Sequence, residues 1–464
     1  MNAQLAPRTI AHPEFRGAIG IARIDVTPPL GIYARLWGSA RHDVAAGVHR
    51  PMLATALVLR DGASSMFVLV TIDVVALWQE EMDRIRSALL ERFRLRPAQL
   101  IVHPSHTHSS PMLARRHAER PGGEFIAPYL DSLPSRLTEL VESAHRAMRP
   151  SVLSWAYGRC ALAFNRDAVD TPTGRGVCGL NPARRADDTV LVGRVTDADG
   201  RATVVLVNYA CHPVSLGGAN QLLSSDYPGA MRELVERATN ATCVFLQGAS
   251  GDLTPRRSYE SDVGAADDNG QELGYAVLAT LKGMLPPATE LTYQGIEESG
   301  TALGVWRPVA RREVSGRAHA ASEHMMLPLK SLPTRETILE RIASHPPAYE
   351  LERLERMLAM RDRIGDASLG PLPVTVWSLG GALVVATSGE AYSQYQLELR
   401  KRFPERTIAV LNLANGATSY LPEEQAYDGD NYPARVTEYA RGCLEQVTAK
   451  TIELIAHLGS EPDL

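Results

Sequence analysis

Leu100–Pro111 reads LIVHPSHTHSSP. An apolar run gives way to three histidines, His103, His106 and His108, set among small polar residues. The run is too short for a helix and reads as a buried strand. Its histidines fall at and beyond the carboxyl end, where open α/β sheets gather their ligand sites. In an extended segment residues i and i+2 share a face, roughly 6.5–7 Å apart. His106 and His108 can therefore approach one centre together, or one can bind a metal while the other serves a substrate.

Working outward, the same alternation of strand and helix recurs. TALVLRDG and SSMFVLVTID read as strands flanking a turn at Asp61-Gly62. Met82, Ile85, Leu89 and Phe93 recur at helical spacing. A second helix is expected over roughly Ala127 to Met148, then a strand at ATVVLVNYA. DYPGAMRELVERAT starts a helix with Pro228 in its first turn, TCVFLQG is a strand and ELGYAVLATLKGML a helix. Arg311 to Ser331 is more polar and reads as an irregular surface excursion, conceivably one that gates substrate. Helices are then expected over Arg335–Ala343 and Ala348–Ile364, and strands at PVTVWSLGG and ALVVATSG. A helix from Ala391 to Phe403, the strand TIAVLNLA and a closing helix from Arg435 to Ile455 complete the order. This is an α/β pattern: one large domain, residues 17–464, after a short N-terminal extension of residues 1–16, with mixed sheet flanked by helices.

The bulk numbers bound the function. The chain has 464 residues, 45% hydrophobic and 22% charged, enough to bury a sizeable core. Its net charge of -5 comes without a long run of one sign. That argues against a nucleic-acid or anionic-membrane partner. The opening MNAQLAPRTIAHPEFRG holds no apolar stretch of signal-peptide length, and no later run approaches the ~20 residues of a membrane anchor. The five cysteines are scattered without a CxxC, which suggests reduced thiols and a cytoplasmic protein. Oligomeric state is not encoded in any motif.

Two further metal-competent residues take the same position relative to a strand. His212 follows TVVLVN, and Glu390 follows ALVVATS. Two imidazoles and a carboxylate drawn from distant segments are what a zinc site would look like. Taken singly, His212 reads as a loop or cap histidine and Glu390 as a carboxylate favoured by a helix N-terminus. Of other HxH metal families, the HxHxDH pattern of metallo-β-lactamases fails, because Ser110 and Pro111 stand where Asp and His belong. A TIM-barrel amidohydrolase would carry its HxH near the N-terminus, whereas about a hundred residues precede it here.

Several segments together resemble the neutral/alkaline ceramidase family, a group of zinc-dependent amidases. GIARIDVTPPLG (Gly20–Gly31) resembles its opening strand and turn, SHTHSSP its metal loop and FNRD its Asn-Arg segment. NYACHPVSLG, SSDYPGAMRELVE, LQGASGDLTPR, TSGEAYSQ and GATSYLPEEQAYDGDNYP continue the resemblance in family order. It implies the family's catalytic fold, without the C-terminal β-sandwich domain of its larger members. It also implies one Zn2+ per chain, held by His106, His212, Glu390 and Tyr420. By the same resemblance His108 and Arg166 hold the scissile carbonyl and its oxyanion, Tyr432 is a further active-site tyrosine, and Thr254 replaces the usual Ser. Asn165 and Asp252 support the site from behind, and His103, which has no counterpart, is structural. Pro433 follows Tyr432 where the family carries Glu, and SGE replaces Pro-Gly-Glu.

The expected activity is zinc-dependent hydrolysis of an amide (N-acyl) bond in a small, soluble molecule, by zinc-activated water. The same site could instead form amides, transfer acyl groups or cyclise, if it excludes water in favour of an amine. A non-catalytic binding protein on the same fold is the third reading.

Overall fold

Along Leu53–Arg60 (β2) the side chains alternate in their destination. Ala54, Ala56 and Val58 enter one apolar cluster with Met82, Ile85 and Leu137, while Leu57 and Leu59 enter another with Trp377. A strand sends successive residues to opposite faces, so this sheet is covered on both sides. The computed structural model describes residues 9–429 and 431–460.

Eight strands form the main sheet: β1 (Glu14–Asp25), β2, β3 (Met66–Ile72), β4 (Leu100–Pro104), β5 (Arg149–Arg159), β6 (Thr189–Thr196), β7 (Ala202–Tyr209) and β8 (Thr242–Gln247). Their spatial order is β8-β7-β6-β5-β1-β2-β3-β4. The outermost pairs, β7 with β8 and β3 with β4, are parallel, and the pairs between them antiparallel. The outer face carries α1 (Gln79–Phe93), α2 (Ile126–Arg146), α3 (Asp226–Thr239) and α4 (Gly264–Gly283). Gly270 of α4 lies so close to α3 that a Cβ there would sit 2.4 Å from the Cβ of Ala230.

The inner face packs on a second sheet, β9 (Ala318–Pro328), β10 (Leu369–Leu379), β11 (Ala382–Thr387) and β12 (Thr407–Leu411), in that order. Between them lie α5 (Arg335–Ala343) and α6 (Ala348–Ile364) in the chain; α7 (Gln394–Arg402), α8 (Tyr432–Val436) and α9 (Cys443–Ser460) follow. Residues of α7 and α9 cover the far side of the second sheet. The result is four layers, helices–sheet–sheet–helices.

The sequence reading needs three corrections. The expected excursion at Arg311 to Ser331 contains β9, eleven residues paired along their whole length with β10. It reads as polar because it is an edge strand, and edges carry charged and polar side chains that discourage further pairing. The helix expected from Ala391 begins at Gln394, and Glu390–Ala391 forms a two-residue strand paired with Tyr420–Leu421. The closing helix is split into α8 and α9. In the break, the Thr437 hydroxyl donates to Tyr420 O at 2.6 Å. At the other end of the chain, Thr9–Ala11 pairs with Thr289–Glu298, and β1 runs unbroken from Glu14 across residue 17.

The two edges of the main sheet converge. Twist of roughly 20–25° per strand step sums to about 150° across eight strands, which turns one edge strand over relative to the other. The His103 ring on β4 reaches β8, where its Nε2 accepts from Gln247 N–H at 2.9 Å. The residues after β12 bridge both edges: Asn412 N–H donates to Gln247 O at 3.1 Å and Asn415 N–H to Val102 O at 2.8 Å. His103 is fully buried in that seam, which makes it a structural residue.

Candidate metal centre

Convergence of the edges brings the loops after β4 and β7 together. His106 follows β4 by two residues and adopts φ +65°, a left-handed conformation uncommon for a side chain of its size. Its N–H donates to Val74 O at 3.0 Å and its Nδ1 lies 2.7 Å from Val75 O. His212 N–H donates to Leu253 O at 3.2 Å, and its Nδ1 lies 2.7 Å from Ser250 O. A ring nitrogen facing a carbonyl oxygen must carry the proton. In its neutral form each ring therefore turns a bare Nε2 inward, in the orientation that metal-ligating histidines take.

Glu390 Oε2 lies 3.3 Å from each of those Nε2 atoms. His108 Nε2 lies 3.4 Å from His106 Nε2. The ligand atoms of His106, His108 and His212 all fall within 4.8 Å of one another. Ligands at about 2.0–2.1 Å around a tetrahedral zinc ion stand about 3.3 Å apart. The spacing of these ligand atoms suits one cation, so these residues could hold a metal ion.

Electrostatics point the same way. Burial, with Arg166 nearby, lowers His212 to about 3, and burial with the other histidines holds His108 well below its ordinary value. Burial works to raise Glu390, but the charge and hydrogen bonds that His106, and then His212, offer when they carry an inward proton outweigh it and hold the carboxyl well below the usual range. At neutral pH His108 and His212 are therefore neutral and Glu390 is a carboxylate, the state that metals bind.

Glu390 and Tyr420 are neighbours because their strands pair in register, and Glu390 N–H donates to Ser419 O at 2.9 Å. Arg166 is buried; its Nε and Nη2 donate to Gly251 O at 3.1 and 2.9 Å, and Nη2 also to the Tyr420 hydroxyl at 3.1 Å. Gly251 is needed for the Glu390 segment to pack this closely, since a Cβ there would sit 2.7 Å from Glu390 O. Burial and the Glu390 carboxylate push the Tyr420 phenol well above its ordinary value, so it remains a hydroxyl. The Tyr432 ring stands edge-on to Tyr420 at 6.0 Å, and Pro433 sits in the first turn of α8, where proline costs nothing. Asp252 accepts from Asn165 Nδ2 at 3.1 Å, behind the arginine.

Thr254 lies in a short strand paired with Ala163–Asn165, beside Arg166. Its buried hydroxyl faces that of neighbouring Tyr259, which is also turned toward Arg166. The Tyr259 ring meets Trp37 edge-on at 5.8 Å, and Trp37 packs on His108 at 5.4 Å. Neither Trp37 nor Tyr259 was singled out from the sequence, where both sit in unremarkable loop contexts. Every residue expected at the site is brought into this one neighbourhood.

With that geometry in place, comparison with known proteins has a clear outcome. The profile of the neutral/alkaline non-lysosomal ceramidase family, N-terminal part, matches residues 18–262, just over half of the chain.

The chain belongs to the neutral/alkaline non-lysosomal ceramidase family.

The matched span includes His106, His108, Arg166, His212 and Thr254, while Glu390, Tyr420 and Tyr432 lie beyond it. Neutral ceramidase B of Dictyostelium discoideum is 22% identical over 234 residues, 46% of this chain and 32% of that protein. The chain thus aligns with about a third of its curated relative. Two solved ceramidase structures share the fold. One, a ceramidase complexed with C2, superposes with TM-score 0.69 at 14% identity, over 97% of this chain and 75% of the other. The other, neutral ceramidase from Pseudomonas aeruginosa, gives 0.67 at 14%, over 96% and 74%. The ceramidase fold therefore extends through the second sheet and the short strand pair beyond it that carries Glu390 and Tyr420. Among the described residues no helix is long and apolar enough to cross a membrane.

Proposed function

We propose that this family member is a zinc-dependent amidohydrolase that cleaves the N-acyl amide bond of a soluble small molecule in the cytoplasm. The observation that carries the reading is the convergence of two bare imidazole nitrogens on one carboxylate oxygen, each 3.3 Å away, beside a buried arginine. A zinc ion held by His106, His212 and Glu390, with Tyr420 next to them, would supply Lewis acidity and lower the pKa of water.

The chain's own residues do the rest. Arg166 and the Tyr420 hydroxyl, hydrogen-bonded to each other at 3.1 Å, form a fixed donor pair for the oxyanion of the tetrahedral intermediate. Preorganised donors of this kind are worth about 3–4 kcal/mol each. His108, neutral and facing the same space, can take a proton from water and return it to the leaving amine. The hydroxyls of Thr254 and Tyr259, beside Arg166, can help to orient the amide. Trp37, packed on His108, lines the small pocket beside it. Five free cysteines support a reducing compartment.

The test is product analysis. Zinc-loaded protein is incubated with a panel of N-acyl amides, and mass spectrometry looks for the free acid and amine. Release of both, abolished in Glu390→Ala, supports hydrolysis. No cleavage of any member, under conditions where a ceramidase control is active, would falsify it. Net amide synthesis from acid and excess amine would redirect it to the biosynthetic reading.

A further inference from the structure

A cavity of about 220 Å³ lies under helix α6, which lines it with Leu351, Glu352, Glu355 and Arg356. Tyr33, Met112 and Leu351 form part of its apolar wall, and Arg35, Arg116, Arg120 and Arg356 line it as well. Three of these guanidiniums are neutralised within the cavity. Arg35 pairs with Asp43 at 3.0 Å, Arg120 with Glu355 at 2.9 Å, and Arg356 with Glu352.

Arg116 is different. Among the described residues no carboxylate lies within ion-pair distance of it; its guanidinium stands 5.3 Å over the Trp78 ring. His117 next to it is neutral at pH 7, lowered to about 4 by burial and by Arg116, Arg120 and Arg356. The cavity therefore holds one positive charge in excess, on a chain whose net charge is -5. Arg356 adds a buried Nε with no hydrogen-bond partner.

The same arginine joins the cavity to the reactive site. It is an electrostatic neighbour of Tyr432 and Tyr420. Its Nη2 donates to Leu36 O at 3.2 Å, one residue before the Trp37 that packs on His108.

We propose that this cavity is a subsite for a carboxylate on the substrate, held by Arg116 with help from Arg356. The single excess charge matches a monoanion, and an arginine fork matches a carboxylate. The apolar wall takes the carbon skeleton that bears it. The volume suits a group somewhat larger than benzene, which occupies an engineered cavity of about 150 Å³. A neutral hydroxylated head group would leave Arg116 without a countercharge. The proposal names the substrate class for the amidohydrolase reading and rests on it.

The experiment uses the full-length, zinc-loaded protein and two matched pairs. N-hexanoylglycine against N-hexanoylglycinamide places the charge on the amine half. Succinic monoanilide against butyranilide places it on the acyl half. In at least one pair kcat/KM for the carboxylate exceeds that for its neutral partner by tenfold or more. Arg116→Gln lowers that ratio at least fivefold, Arg116→Lys recovers part of it, and added salt lowers it in the wild type. Ratios near one in both pairs, or a ratio indifferent to Arg116→Gln, would overturn the subsite. If Arg116→Gln does not fold, a wild-type ratio independent of salt overturns it instead.

If none of the four compounds is cleaved, hydrolysis fails for this class and calorimetric binding decides the subsite separately. Tighter binding of a carboxylate than of its neutral partner, weakened in Arg116→Gln, keeps it. Equal binding removes it.

Discussion

The Asp252 carboxylate accepts from both the backbone N–H of Ser393, at 2.7 Å, and its hydroxyl, at 2.9 Å. Because Asn165 Nδ2 reaches the same carboxylate, Asp252 ties the segment that bears Arg166 to the one that bears Glu390. Neither segment contacts the other through a regular sheet. Asp252→Ala should therefore loosen both and lower metal affinity about 10–100-fold, as loss of a supporting hydrogen bond does. Competition with a zinc chelator measures this, and a folded variant with wild-type affinity would refute it.

Asp252 also makes stability depend on pH. Burial raises its carboxyl to about 6, although the Ser393 donors pull the other way. The folded state thus holds a proton between about pH 4 and 6 that the unfolded chain has released. Stability from this group is complete below about pH 4 and is lost as pH rises through 6. The stability of wild type relative to Asp252→Asn should fall by roughly 2–3 kcal/mol between pH 4 and 7. Denaturant melts at a series of pH values give the difference directly; a flat difference would mean that the carboxyl titrates normally.

His103 has the opposite dependence. Burial lowers it to about 3, so it folds neutral, with Nε2 accepting from Gln247. Its contribution is present above the unfolded value near 6.5 and is lost as pH falls toward 3. Between pH 6.5 and 4.5 the loss should reach about 2 kcal/mol. His103→Gln, which keeps an acceptor but does not titrate, should flatten the acid limb of the stability curve. An unchanged acid limb would place the titration elsewhere.

Arg166 cannot be replaced by lysine without loss. One ammonium cannot reproduce the fork that reaches Gly251 O and the Tyr420 hydroxyl together. Arg166→Lys should lower kcat about 100–1,000-fold on any amide the enzyme cleaves, with zinc content unchanged. A loss confined to KM would assign Arg166 to ground-state binding.

Zinc content separates ligands from neighbours. Elemental analysis should find about one zinc per wild-type chain and little in His106→Ala, His212→Ala or Glu390→Ala. His108→Ala should retain zinc while losing turnover. An empty but folded His108→Ala protein would make His108 a ligand, which its 3.4 Å distance from His106 allows.

Much of the site was legible because its residues announce themselves by type and by position after a strand. LIVHPSHTHSSP gave both the strand and the paired histidines, and the helices Arg335–Ala343 and Ala348–Ile364 were readable to the residue from spacing alone. Trp37, Tyr259 and Arg116 were not legible. They stand in loops or irregular turns, and their relation to the site exists only across long sequence separations. The strand Ala318–Pro328 was hidden for a different reason, since an edge strand with few buried residues lacks the apolar alternation that reveals a strand.

By itself, then, the sequence determined which faces are apolar and which residues are equipped for chemistry, because hydrophobic period and residue type are local properties. Tertiary structure alone decided that β4 and β8, at opposite edges of one sheet, should meet. Twist accumulates over the strands between them, and the residues after β12 close the gap by hydrogen-bonding to both edges. That closure puts His106 and His212 within reach of one carboxylate oxygen, and no local pattern specifies it.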